Sequence, residues 1–331
     1  MRLVVPLSDY RNYERLINVG ADDFYAGFVP FEWINKYGTV NPMNRREYML
    51  TSSQICSMDA ILILSKYVKY YGIKVKIVIN SHYYLEDQYP IVLDIIEKLV
   101  NLGFEEFVIA DLFLINLIKK NKIVCKIHVS GEMETLNHYM INYLHSYNIT
   151  RIVFPRKITI DDMQKCIAYN HSNIKEYEAF ILNSLCRYSG GYCNSIHCDN
   201  LPATCAIPRE AQPYTSEDNT YIEITKKINA QLLKNSMQNM IYHSSKVEKR
   251  HILGRTGCGI CRIKKLGEIG ITHLKIVGRG YDIDKLSYDV KCMSEIIKLS
   301  YELSEEEFIS HVKSQYINHN CLKCYYPVKD E

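Results

Sequence analysis

The sequence predicts an α/β protein: a (β/α)8, TIM-like barrel with a long Cys-rich insert between strands 7 and 8 and a short C-terminal Cys-containing tail. Three observations predict it. Short runs rich in Val, Ile and Phe recur eight times, and they are continuous apolar runs rather than alternations, as parallel strands covered on both faces require. Helical patterns lie between them, giving eight β-α units in a chain of 331 residues, which suits a closed barrel. No glycine-rich dinucleotide turn follows the first strand, where Pro6-Leu7-Ser8-Asp9 stands instead, so a Rossmann reading has little support. The alternative architecture is an open doubly wound sheet with a second domain.

In chain order, the expected strands are residues 3–6, 23–27, 75–80, 106–110, 125–130, 151–155, 177–182 and 273–277. A helix over 9–19 opens on Asp9, a good N-cap, and ends at Gly20. Leu93, Ile96, Leu99 and Val100 mark one face of a helix that stops at Gly103. Helices over 134–147 and 159–170 follow, the second capped by Thr159 with Asp161 and Asp162 in its first turn. About 90 residues then separate the seventh and eighth strands, several times an ordinary βα unit. They carry a long helix with Ile224, Ile228 and Leu232 on one face. After the eighth helix comes an acidic helix start, Ser304-Glu305-Glu306-Glu307, and then Cys321-Leu-Lys-Cys324. The expected domains are a barrel over 1–302, including the Cys-rich insert 186–262, and a C-terminal helix and Cys-x2-Cys tail over 303–331.

Composition removes several classes. With 47% hydrophobic and 23% charged residues the chain is ordinary globular. Its charge balance, 40 − 37 = +3, is too small to imply a nucleic-acid partner by bulk electrostatics. The longest apolar stretches, such as 60–64 and 112–115, fall far short of the ~20 residues that span a bilayer. The opening Met-Arg-Leu-Val-Val-Pro-Leu-Ser-Asp has no signal-length apolar region, so the expected location is the cytoplasm. There is no His-Glu-x-x-His, Gly-x-Ser-x-Gly or Gly-x4-Gly-Lys-Ser/Thr. His138 and His145 read as partly exposed helix residues, and the 27 tyrosines as spread-out packing residues.

Cysteine is the abnormal count, at 12. In a reducing compartment, clustered cysteines more often ligate metal or do redox chemistry than form disulfides. Cys56, Cys125, Cys166 and Cys292 lie in apolar periodic segments and read as core. The others form three groups: Cys186, Cys193, Cys198 and Cys205; Cys258 and Cys261; Cys321 and Cys324. Cys186 follows the seventh strand, and barrel active sites are built from the loops at that end. Cys186, Cys193, Cys205 and Cys261 therefore offer four thiolates around the mouth. Zinc and an iron–sulfur cluster are both open, and the wide, irregular spacing favours the cluster. Cys258-Gly-Ile-Cys261 and Cys321-Leu-Lys-Cys324 can instead pair as a second metal site, zinc, at Cys258, Cys321 and Cys324. No Cys-x3-Cys-x2-Cys run exists. Strand ends supply Asn80, Ser81, His82, Asp111, Ser130, Glu132, Arg156 and Arg279, and Lys275 sits inside an apolar strand, where a charge must be paired or face a cavity. Arg156 and Arg279 at the mouth can grip a carboxylate or phosphate.

Leu185-Cys186-Arg-Tyr-Ser189-Gly190-Gly-Tyr-Cys193 and Cys205-Ala206-Ile207-Pro208 resemble motifs of the collagenase-like U-32 peptidase family. Two further stretches agree, Gly20-Ala21-Asp22-Asp23-Phe24-Tyr25-Ala26-Gly27 and Gly270-Ile271-Thr272-His273-Leu274-Lys275-Ile276-Val277-Gly278-Arg279. The resemblance spans nearly the whole chain. It implies a 4Fe-4S cluster held by Cys186, Cys193, Cys205 and Cys261, with Cys258 a near neighbour. It also implies oxygen-independent hydroxylation of an RNA, peptide or small aromatic substrate. A small carboxylate cosubstrate would bind Arg156 and Arg279, with Lys275 supplying charge or proton transfer. Other implied readings are a peptidase and a non-catalytic, metal-bearing partner of a homologous subunit. The chain departs from the family at Leu182-Asn183-Ser184, which replaces His-Gly-Ala, at Val277 for an acidic residue, at Arg209 for a cysteine and at Lys157 for an acidic residue.

Overall fold

Eight parallel strands close on themselves: β1 (Arg2–Pro6), β2 (Asp23–Phe28), β4 (Val75–Ile79), β5 (Glu106–Ile109), β6 (Lys126–Val129), β7 (Ile149–Val153), β8 (Glu176–Leu182) and β9 (His273–Ile276). β1 pairs with both β2 and β9, which shuts the cylinder. A ninth strand, β3 (Gln54–Ile55), adds to the far end of β2. The computed structural model describes residues 1–38, 42–44, 53–186, 210–212, 219–244, 251–317 and 323–327. The expected barrel is therefore the observed one, with all eight strands at the expected places and β3 an addition. The seventh and eighth strands of the sequence reading are β8 and β9.

The intervening helices are α1 (Tyr13–Asn18), α2 (Phe31–Tyr37), α3 (Met58–Tyr71), α4 (Tyr89–Asn101), α5 (Leu112–Lys120), α6 (His138–Tyr143), α7 (Ile160–Ala168), α9 (Ile263–Glu268) and α10 (Ile283–Glu302). Their caps follow from local chemistry. Thr159 accepts from the Asp162 amide to start α7, and Asp111 accepts from the Phe113 and Leu114 amides to start α5. Gly20 and Gly103, past the ends of α1 and α4, take positive φ of 109° and 97°, which glycine adopts without strain. The expected helix over 134–147 is shorter: Glu134 is left-handed at φ 61°, so α6 begins only at His138, and a 3-10 turn, Leu144–Ser146, completes it. α11 (Glu305–Gln315) starts on a full capping box between Ser304 and Glu307.

The chain divides into two units, Met1–Asn194 with Leu253–Glu331, and Ser195–Ile252. The tail thus belongs to the barrel unit. The second unit contains α8 (Asn219–Ser244), where the Asn229 amide brackets the Ala211 backbone, accepting from its N–H at 2.7 Å and donating to its carbonyl at 3.0 Å. Among the described residues no helix is long and apolar enough to cross a membrane.

Outward-facing strand residues such as Val5, Phe24, Ile77, Phe107 and Ile276 pack under the helices. Inside, Val4, Tyr25, Val78 and Val108 form a small apolar cluster of their own. The lower interior is ionic instead. Arg151 on β7 reaches Glu178 at 3.0 Å, Glu176 at 2.8 Å and Asp23 at 3.4 Å. Lys76 contacts Asp23 and lies 3.9 Å from Glu106, and Lys275 bonds Glu178 at 2.6 Å. Buried carboxylates Asp23, Glu106 and Glu178 thereby meet buried bases Lys76, Arg151 and Lys275. A buried charge is tolerable only with such partners.

His128 and His273 lie in the same network, beside Glu106 and Arg151 respectively. Burial, then the Arg151 cation, lowers the proton affinity of both, His273 to about 3. An unfolded histidine protonates near pH ~6.5. From about 6.5 down toward 3, the unfolded chain takes up protons that the folded barrel refuses. Stability falls across that window by on the order of 1 kcal/mol per pH unit for each histidine. Burial raises Glu178, but Lys275 and Arg151 more than offset it and hold it at about 2. Its contribution is complete above the unfolded carboxylate value of ~4.3 and is lost only as pH falls toward 2. Denaturation midpoints measured from pH 7.5 to 4.5 should therefore decline steadily, roughly as the two histidines titrate in the unfolded chain. A flat profile would contradict neutral, buried histidines.

Candidate active site at the barrel mouth

The C-terminal ends of β2, β7, β8 and β9 place three cations around two aromatic rings. Lys275 Nζ lies 4.0 Å from the Tyr25 ring centroid and 5.9 Å from that of Phe180. Arg279 Cζ lies 5.9 Å from the Tyr25 centroid, and Arg156 Cζ stands 4.3 Å over Phe180. These are the three side chains that the sequence reading picked, and the structure brings them together. The rings supply negative faces that stabilise the cations.

Each cation is committed differently. Lys275 is buried against Glu178; burial lowers its proton affinity, and Glu178 resists that fall. Arg279 donates to Gln54 Oε1 at 3.3 Å, and Gln54 forms a reciprocal amide pair with Asn44 at 3.0 and 3.1 Å. A Cβ at Gly27 would collide with both Gln54 Oε1 and the Arg279 guanidinium, so glycine on β2 makes room for this arrangement. Arg156 donates to Glu132 at 3.4 Å, and its Nε is buried with no hydrogen-bond partner among the described residues. Burial opposes its charge, but Glu132, then Tyr325 and Cys186, hold its proton more tightly than usual.

The other strand-end candidates are structural. Asp111 caps α5 and accepts from Tyr89 at 2.7 Å. Ser130 caps the turn Gly131–Met133 and accepts from Asn80 at 3.3 Å. Lys157 pairs with Glu134 at 3.3 Å. His138 packs against Tyr139 and Tyr169, and His145 is exposed.

Cys186 follows a strained turn. Asn183 and Ser184 both take positive φ, 67° and 44°. Asparagine is the side-chain-bearing residue that best tolerates this region, so Asn183 can serve where the related motif has glycine. Its amide donates to Asp289 at 2.7 Å, and the Ser184 hydroxyl meets that of Tyr281 at 2.6 Å. The segment before β9 returns to this turn: Leu182 pairs antiparallel with Cys258, Asn183 N donates to Gly257 O, and Leu185 N donates to Thr256 O. Cys258 in turn pairs in parallel with Cys324 of the tail, through Cys258 N to Lys323 O at 2.9 Å and Tyr325 N to Cys258 O at 2.8 Å. Cys261 is half-buried, and burial raises its thiol, with Lys313 opposing and Cys324 adding to the rise.

Cys193, Cys198, Cys205 and Cys321 lie outside the described residues. Among the described residues no three His, Cys, Asp or Glu side chains are gathered as a metal site. The four scattered cysteines, Cys56, Cys125, Cys166 and Cys292, are buried, and burial pushes the thiols of Cys125 and Cys166 up to about 11.

Sequence reading missed the partners: Glu178 under Lys275, Gln54 and Asn44 under Arg279, and Tyr325, stacked on the Phe180 ring that Arg156 covers. A signal for the ionic interior was present, since Lys76, Glu106, His128, Arg151, Glu178 and His273 each interrupt a different apolar strand.

No curated protein matches the chain significantly. Among solved structures, similarity extends to the U32 peptidase Mk0906, with 11% identity over 56% of this chain and 71% of that one and a TM-score of 0.42. Tryptophan synthase from M. tuberculosis matches with 8% identity over 89% of this chain and 91% of that one, TM-score 0.45. Dihydropteroate synthase from Yersinia pestis matches with 6% identity over 90% and 94%, TM-score 0.36. The family model of peptidase family U32 matches residues 8–330, nearly the entire chain, with the barrel and its mouth inside the match. The chain belongs to peptidase family U32.

Proposed function

We propose that this protein is an iron–sulfur enzyme that modifies an RNA, peptide or small aromatic substrate without oxygen, by hydroxylation, using a small carboxylate cosubstrate. The carrying observation is the pairing of Leu182 with Cys258, which seats the Cys258–Cys261 segment beside the turn that leads to Cys186. Soft thiol donors from distant parts of the chain at one strand end suit an iron–sulfur group. In this reading Cys186, Cys193, Cys205 and Cys261 hold the cluster, with Cys258 adjacent, and the bound cluster supplies one-electron chemistry.

The chain's own groups have separate tasks. Arg156, whose buried Nε has no hydrogen-bond partner among the described residues, and Arg279 grip the carboxylate through paired hydrogen bonds. Tyr25 and Phe180 form the apolar wall beneath it. Lys275 holds a proton at Nζ, where burial eases its release and Glu178 orients it. A second metal, zinc, at Cys258, Cys321 and Cys324 belongs to the same proposal, supported by the pairing of Cys258 with Cys324.

Anaerobic purification followed by iron and sulfide assay tests the reading. Iron and sulfide should appear together, about four of each per chain. Colourless protein that stays metal-free after reconstitution would overturn it. Peptide hydrolysis by that metal-free protein would instead support the peptidase reading that the family description favours.

A further inference from the structure

We infer that Tyr89, Tyr84, Trp33 and Tyr37 form a radical-transfer path that carries electrons from a thiol at the surface to a one-electron oxidant at the barrel rim. This path lies beyond the proposed reaction and does not depend on which thiols bind iron.

The path starts at the mouth. Asp111 stands past the C-terminal end of β5 and accepts from the Tyr89 hydroxyl at 2.7 Å. From the Tyr89 ring the centroids run 5.7 Å to Tyr84, 6.2 Å on to Trp33 and 4.7 Å on to Tyr37. Trp33 and Tyr84 are buried, whereas the two end tyrosines are half-buried. The Tyr37 hydroxyl donates at 3.1 Å to Asp87, which is exposed.

Packing alone asks nothing of the end hydroxyls, but electron transfer does. A phenol gives up an electron readily only when a base takes its proton as well. Burial, then Asp111, pushes the Tyr89 phenol up to about 12, so it stays protonated and needs such a base. Asp111 and Asp87 are the bases at the two ends. Tyr84 donates instead to the Met43 carbonyl at 2.8 Å, which takes no proton, so its ring serves as a bridge. Between Tyr84 and Tyr37 stands the single tryptophan of the chain, and an indole passes an electron while keeping its proton.

Electrons and protons balance along the path. A one-electron oxidant, such as the hydroxyl radical derived from peroxide, takes an electron from Tyr89 while the phenolic proton passes to Asp111. An electron from Trp33 then crosses the Tyr84 ring to the tyrosyl radical, and Asp111 returns the proton. The indole radical cation takes an electron from Tyr37, whose proton passes to Asp87. A soluble thiol gives the Tyr37 radical a hydrogen atom and leaves as a thiyl radical, and Asp87 releases its proton to water. The thiol has then lost one electron and one proton, and the oxidant has gained the electron.

Phe113 allows the path to be started by light. Its ring centroid lies 5.0 Å from that of Tyr89, and the residue is 52% exposed. p-Benzoylphenylalanine in its place puts a ketone there whose excited state takes a hydrogen atom from a phenol. Transient absorption is then followed after a laser flash, in the whole chain and without oxygen. A tryptophan-radical band, which only Trp33 can give, should rise and then decay into a tyrosyl band. Tyr37→Phe should leave the tryptophan radical standing, and Tyr89→Phe should abolish its rise. Each of these changes removes only a hydroxyl, and a purely structural role for the rings predicts no tryptophan band at all. Absence of that band before either change, its persistence in Tyr89→Phe, or an unaltered decay in Tyr37→Phe overturns the path. Should Tyr89→Phe fail to fold, the decay in Tyr37→Phe decides alone. Iron and sulfide assayed on the same samples report on the iron–sulfur reading separately.

Discussion

Arg151→Met should leave the chain unable to fold to a stable barrel. Arg151 is the shared cation of Asp23, Glu176 and Glu178 and also meets His273. Methionine matches its volume but strands Asp23 and Glu178 without that partner, both 1% exposed. Breaking a buried pair from one side costs about 3–5 kcal/mol, a large share of the roughly 5–15 kcal/mol that holds a domain together. Lysine should not rescue it, because a single ammonium cannot reach carboxylates on different strands as the planar fork does. The check is a denaturant melt of Arg151→Met and Arg151→Lys beside wild type. Near-wild-type midpoints would mean that the interior charges are solvated rather than mutually paired.

Cys186→Ser should do the reverse, leaving the fold intact and removing the cofactor. Cys186 is only half-buried and lies past the end of β8, so the change should move stability by no more than about 0.5 kcal/mol. Iron and sulfide should fall to background together with any oxygen-independent activity. Cys166→Ser is the matched opposite. That thiol is 1% exposed within α7, and a hydroxyl there lacks water and costs roughly 1–3 kcal/mol, with no loss of iron. The two serine variants thus separate cofactor from core by circular dichroism melts and metal assay on the same samples. Retained iron in Cys186→Ser would remove this thiol from the ligand set.

The barrel was readable because its physics is local. Each strand, covered on both faces, reads as a short apolar run, and Gly20, Gly103, Thr159 and Ser304 mark helix ends through conformations or hydrogen bonds within a few residues. Glu134 escaped notice because nothing about glutamate announces a left-handed backbone. β3 escaped because two residues, Gln54–Ile55, carry no periodicity. The site was half legible for the same reason. Arg156, Lys275 and Arg279 stand out at strand ends or within an apolar run, whereas what positions them is remote in sequence. Glu178 is 97 residues from Lys275, and Gln54 is 225 from Arg279. The tail is the clearest case. Cys321-Leu-Lys-Cys324 drew attention as a metal knuckle, while the adjacent Tyr325 and Tyr326, two among 27 tyrosines, bond to residues 142 and 146 positions away.

Iron K-edge X-ray absorption on the anaerobically reconstituted protein tests the central claim most directly. A first shell of sulfur alone, with a short iron–iron vector behind it, is the predicted result, and it should vanish in Cys186→Ser. A first shell of nitrogen and oxygen, or zinc held in place of iron, would contradict the account.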